Sequence, residues 1–158
     1  MSEEIESCIR SLEKEGHLLE EKEIQHHGYK SVYDHSIAVA YLCDRLVRKH
    51  RERYRYYDLI RGALLHDYFL YDRRNKRKDI GLHGLAHPKV ALENAEKDFN
   101  LSDIERDIIR HHMFPLTLVP PLTKEGWVVT FADKLCAIRE YYYGRKLKLK
   151  GIMGITQG

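Results

Sequence analysis

The sequence predicts an all-α fold, a compact bundle of about six helices. Three observations carry the helical expectation. Apolar residues recur at helical spacing through most of the chain, and no segment alternates apolar and polar residues as a half-buried strand does. A capping-box string, Ser102-Asp103-Ile104-Glu105, stands directly before one of the periodic runs. With 158 residues, 43% apolar and 32% charged, the chain has material for one domain with a real core and is neither disordered nor fibrous.

Residues 3–23 place Ile5, Cys8, Ile9, Leu12 and Leu19 near helical spacing among many charges, which predicts an amphipathic surface helix. His26-His27-Gly28 breaks that pattern. Residues 32–51 carry a broad apolar face, from Val32 and Ile37 to Leu46 and Val47, and end in a basic run; they predict a buried helix with a charged exit. Residues 56–69 read as a third helix, opposed only by Gly62. Residues 72–85, basic and then glycine-containing, read as a loop. His87-Pro88 puts a proline where a first turn tolerates one, and Val90, Ala91, Ala95 and Phe99 continue that helix to about Asn100. The capping box opens a fifth helix through His112. Pro115, Pro120 and Pro121 exclude helix, after which Thr123 offers an N-cap for a last helix ending near Tyr143, before Gly144. The whole chain is read as a single domain with a helical core over 26–143 and a weakly ordered basic tail over 145–158.

The net charge of +3 is too small to name a partner. The most apolar runs, 36–42 and 127–132, fall far short of the ~18 residues of a membrane span, and the acidic N-terminus lacks the apolar stretch of a signal peptide. A cytoplasmic protein with no membrane partner is expected. Three cysteines, Cys8, Cys43 and Cys136, with no CxxC pair, argue for reduced core thiols rather than disulfides or a zinc knuckle. Ten histidines are the unusual count.

The informative string is Ala63-Leu64-Leu65-His66-Asp67, an imidazole and a carboxylate together at the end of an apolar helix. Burying an unpartnered polar group costs roughly 2–7 kcal/mol, and a bare carboxylate more, so such a pair is either exposed at the helix end or compensated by a cation. Other candidates favour the cation. His35 lies on the apolar second helix, and Asp133 follows Val128-Val129-Thr130-Phe131-Ala132, sharing a helical face with Val129, Ala137 and Glu140. His87 opens a helix and His111-His112 close another. Imidazole and carboxylate donors without thiolates suit Fe, Mn, Ni, Zn or Mg. His35, His66, Asp67 and Asp133 would hold one divalent metal, and His87 and His112, with Asp67 bridging, a second. His112 is favoured over His111, although adjacent histidines at a helix end can serve two cations.

The order His35, His66-Asp67, Asp133, with its Leu-Leu-His-Asp and Phe-Ala-Asp-Lys contexts, resembles the HD-domain superfamily of metal-dependent phosphohydrolases over about residues 26–143. His87 and His111-His112 are similar to the six-ligand variant of its di-iron members. The resemblance departs from the HD-GYP phosphodiesterases, because Tyr68-Phe69-Leu70 follows the His-Asp pair and no Gly-Tyr-Pro follows His112, so cyclic-di-GMP cleavage is not implied. What is implied is an enzyme that hydrolyses a phosphomonoester or phosphodiester, a nucleotide or another small phosphorylated substrate, with a metal-activated water. Its alternatives are a di-iron oxygenase on the same scaffold and a non-catalytic regulatory module that keeps metal for stability.

Beside Asp67, two residues are candidates for the chemistry. Lys134 either neutralises a substrate phosphate or pairs with Asp133, and Asp72 either orients water or pairs with neighbouring arginines. Arg73, Arg74, Lys76, Arg77 and Lys78 either contact phosphate or form a solvated face; His26, His27 and His83 are candidates for substrate contact. Tyr141, Tyr142 and Tyr143 read as helix-end packing or a homodimer contact rather than a nucleic-acid platform.

Overall fold

The computed structural model describes residues 3–24, 30–70 and 83–152, with side chains over 86–145 in the last stretch. Among these residues there are six α-helices and no β-ladder: α1 (Glu3–Glu15), α2 (Val32–Val47), α3 (Tyr56–Leu65), α4 (His83–Asp98), α5 (Asp103–His111) and α6 (Lys124–Ile152). The all-α expectation holds. Helices α2, α3, α5 and α6 pack on one another; α4 leans on α5 and α1 on α3. No helix among the described residues is long and apolar enough to cross a membrane.

The amphipathic segment 3–23 is not one helix. α1 buries Ile5, Cys8 and Leu12 and stops at Glu15, because Gly16 lets the Phe99 ring press against the backbone where a β-carbon would stand. A 3₁₀ turn, Leu18–Glu23, follows and buries Leu18 and Glu21. α2 starts where the Ser31 hydroxyl accepts from the Asp34 amide at 3.1 Å, and ends at Val47 rather than Arg51. Residues Arg48–Arg53 tighten into 3₁₀ geometry broken at His50. α3 ends at Leu65, four residues short of the expected Phe69, and Leu70 takes a positive φ of 50° that a non-glycine residue adopts at a cost. Gly62 serves packing: a β-carbon there would meet Ile108 of α5, so the glycine lets α3 and α5 approach closely.

α4 starts one turn before the expected His87, leaving Pro88 inside the helix, where its ring removes only one early hydrogen bond. The capping box forms as read: the Ser102 hydroxyl accepts from the Glu105 amide, and the Glu105 carboxylate accepts from the Ser102 amide at 2.7 Å. Thr123 caps α6 by accepting from the Gly126 amide at 3.0 Å. α6 passes through Gly144 to Ile152 instead of stopping at Tyr143, since one glycine costs a helix only about 1 kcal/mol. Cys8, Cys43 and Cys136 are free and buried, and burial pushes the Cys8 and Cys136 thiols up to about 11, which keeps them protonated.

Candidate metal centre

Five elements deliver side chains to one buried cluster: His35 from α2, His66 and Asp67 from the end of α3, His87 from α4, His112 from the end of α5 and Asp133 from α6. All six are at least nine-tenths buried. The nitrogen and oxygen donors form two overlapping groups, His35/His66/Asp133 and His66/Asp67/His112, within each of which the donor atoms lie within 4.8 Å of one another.

Two of the histidines reach the cluster by the same local device. His66 and His112 each occupy the C-cap of a helix and donate from Nδ1 to the carbonyl three residues back, Ala63 at 2.8 Å and Ile109 at 2.9 Å. Those bonds place the ring proton on Nδ1 in the neutral imidazole and leave each Nε2 lone pair facing inward. His66 Nε2 then lies 3.7 Å from Asp67 Oδ2 and 3.8 Å from Asp133 Oδ1, too far for a hydrogen bond, and it is a buried nitrogen without a hydrogen-bond partner. His112 Nε2 faces His87 Nε2 at 3.0 Å and Asp67 Oδ1 at 3.4 Å. On the other side, His35 Nδ1 donates to Glu140 at 3.0 Å while its Nε2 meets Asp133 Oδ1 at 3.0 Å.

The electrostatics fit a cation. Burial would lower the His66 imidazole, but the charges of Asp67 and Asp133 override it and raise the pKa, so the surroundings favour positive charge at this point. Asp133 is held well below the usual carboxylate range: burial opposes ionisation, and His35 and His66 outweigh it. His112 is lowered, chiefly by burial, and so stays a neutral donor. An unbonded imidazole nitrogen buried between two carboxylates, with the neutral His112 imidazole beside it, is a donor set that a divalent cation satisfies.

Not every candidate joins the cluster. His111 turns away and donates from Nδ1 to Asp107 at 2.7 Å, outside both donor groups. Its partner Asp107 also accepts from the Leu122 amide, the Thr123 amide and the Thr123 hydroxyl, so this pair pins the entry to α6 instead of reaching a metal. Lys134 donates to the His112 carbonyl at 2.8 Å and lies 3.7 Å from Asp133 Oδ2, with about a third of its side chain exposed. Asp72, Arg73, Arg74, Lys76, Arg77, Lys78, His26 and His27 lie outside the described residues, as does the side chain of His83.

Two acids that sequence reasoning did not assign stand beside the cluster. Glu140 orients His35, and the face it shares with Asp133 was its one sequence signal. Glu21, on the 3₁₀ turn, is fully buried with neither carboxylate oxygen hydrogen-bonded; burial first, and the Asp67 charge second, push it well above the usual range. No sequence signal pointed to it, because the helix break at Gly16 changes which residues face inward.

No curated protein and no solved structure matches the chain. The HD domain matches residues 32–138, a span that opens three residues before His35, closes five after Asp133 and takes in the His66-Asp67 pair, His87 and His112. The chain belongs to the HD domain family.

Proposed function

We propose that the chain is a metal-dependent phosphohydrolase acting on a nucleotide or another small phosphate ester. The observation that carries the reading is His66 Nε2, buried and without a hydrogen bond between Asp67 and Asp133. With Nδ1 committed to Ala63, His66 has one lone pair and can serve one cation; Asp67 has two oxygens and can reach two. Its Oδ2 is turned toward His66, and its Oδ1 toward His87 at 3.2 Å and His112 at 3.4 Å. The residues that would hold one ion are therefore His35, His66 and Asp133, and those for a second His87 and His112, with Asp67 between them.

When bound, divalent metal supplies a water acidified toward neutrality and a positive clamp on phosphoryl oxygens. The chain's own groups do the rest. Glu140 and the Ala63 and Ile109 carbonyls fix the three rings, so that little reorganisation is left for the reaction. Lys134, anchored on the His112 carbonyl and partly exposed, offers a positive charge at the edge of the cluster for a substrate phosphate. Asp72 and the basic run Arg73, Arg74 and Lys76 follow the His-Asp pair closely enough in sequence to complete the phosphate contacts.

Anaerobic loading with iron(II) or manganese(II), followed by elemental analysis and a panel of nucleotides and phosphomonoesters, tests the proposal. Metal bound in stoichiometric amount, phosphate released, and both lost in Asp67→Ala are expected. A chain that retains less than about half an ion has no such centre. Oxygen uptake by the ferrous protein without phosphate release would move the chemistry to the oxygenase alternative, and stable metal with neither activity to the regulatory one.

A further inference from the structure

We infer that the outward face of α6 is a homodimer interface, in which two copies of this chain pair antiparallel along Trp127, Phe131, Leu135, Ile138 and Tyr142. Helix α6 is apolar on two opposite sides. One side carries Val129, Ala132 and Cys136 into the core, while the other presents those five side chains at 40–66% exposure. A helix with apolar faces on two sides has two faces to bury, and the described residues of one chain cover only one of them. The last four residues of the stripe are spaced 4, 3 and 4 apart, the a/d spacing that seats one helix against another.

The stripe continues into the loop before α6, where Leu118 is 91% and Leu122 78% exposed, with Leu116 and Val119 beside them. Taking about 150–250 Å2 for a whole aromatic side chain and somewhat less for an aliphatic one, stripe and loop together expose on the order of 900 Å2 of apolar surface. That exceeds the ~300–600 Å2 patch usual on a monomer and matches the ~800 Å2 per partner of a standard interface. The two ends of the patch are complementary. The aliphatic loop lies at the N-terminal end and Tyr141 and Tyr142 near the C-terminal end, so an antiparallel two-fold sets the loop of each copy against the tyrosines of the other. It also separates the two basic C-terminal segments, which a parallel pair would bring together.

Charge distinguishes a second copy from other occupants. The acidic residues on the described part of α6, Glu125, Asp133 and Glu140, are all buried, while Lys124, Lys134, Arg139 and Arg145 reach the surface. The charged side chains that α6 itself brings to the surface are therefore basic in both copies, a repulsion that salt screens, so self-association tightens as ionic strength rises; contact with an anionic surface weakens instead. Sedimentation of the full chain, across salt concentration, is the test. A dimer at micromolar concentration, strengthened by salt and weakened at least ~30-fold in Phe131→Glu and Ile138→Glu, is expected. Both substituted side chains are exposed, so helical circular dichroism should not change, and that control separates a lost interface from a lost fold. Oxidative cross-linking of Leu135→Cys, near the midpoint, but not of Trp127→Cys, at one end, reports the antiparallel arrangement. A wild-type monomer at about 100 µM overturns the proposal, as does a dimer that persists in the Phe131→Glu/Ile138→Glu double variant. So does a monomer that co-sediments with phosphatidylglycerol vesicles, which assigns the face to a lipid surface.

Discussion

His35 and Glu140 are 105 residues apart in the chain, and the Nδ1 proton of one rests on the carboxylate of the other at 3.0 Å. That contact holds the ring so that Nε2 faces Asp133 and the rest of the cluster. Lys30, 3.7 Å from the second Glu140 oxygen, steadies the carboxylate from outside.

Glu140 should therefore set metal affinity without being a ligand. Glu140→Ala removes the acceptor and is expected to weaken binding about 10–100-fold in chelator competition, while leaving the helical content intact. Glu140→Gln keeps an acceptor but no charge and should fall between. Equal affinities in all three proteins would show that the contact merely fills space.

How much of this was readable in sequence depends on how local each determinant is. The capping box at Ser102 and the His-Asp pair at a helix end involve residues within one turn, and both form where the string puts them. The choice between His111 and His112 is different. Neighbours on a helix diverge by about 100°, and which one faces inward is set by how α5 crosses its partners. The His112 ring is drawn into the cluster because α5 ends there and its Nδ1 finds Ile109, while His111, still on the helix, finds Asp107. Glu140 was visible as a residue on the Asp133 face, but nothing in the sequence says that α2 lies against that face. Gly144 failed as a stop signal because a small propensity loss does not end a 29-residue helix.

Glu21 should be a destabilising residue. Its carboxyl is buried with no hydrogen bond to either oxygen, so the apo protein carries the cost of desolvating it. Glu21→Met is expected to raise apo stability by about 1–3 kcal/mol in urea unfolding, and Glu21→Gln by less, since an amide left there is also unpartnered. The pH dependence gives the sign. The folded-state pKa is raised, so the folded chain binds more protons than the unfolded one. The stability linked to Glu21 is fully present below the unfolded value of about 4.3 and is lost as pH rises toward the folded one. The advantage of Glu21→Met should thus widen from pH 4 upward. An advantage independent of pH would mean that the acid finds a partner in solution.

Asp107 should act in the opposite direction. It accepts from the Leu122 amide at 3.0 Å, the Thr123 amide at 2.9 Å, the Thr123 hydroxyl at 2.6 Å and His111 at 2.7 Å, and so ties α5 to the start of α6. Burial pulls its carboxyl up, but these donors outweigh burial and hold it below the ordinary range. Because the folded pKa is depressed, the stabilisation is present above the unfolded value of about 3.9 and disappears as pH falls through the folded one. Asp107→Asn keeps two acceptor lone pairs but no charge, and is expected to cost about 2–3 kcal/mol at pH 7 and progressively less toward pH 2. Urea midpoints at both pH values measure this directly. Because α6 carries Asp133, the variant should also lower metal affinity, whereas His111→Gln, which removes one donor and leaves three, should leave affinity near the wild-type value. A loss in His111→Gln as large as that in His112→Gln would instead return His111 to the metal centre.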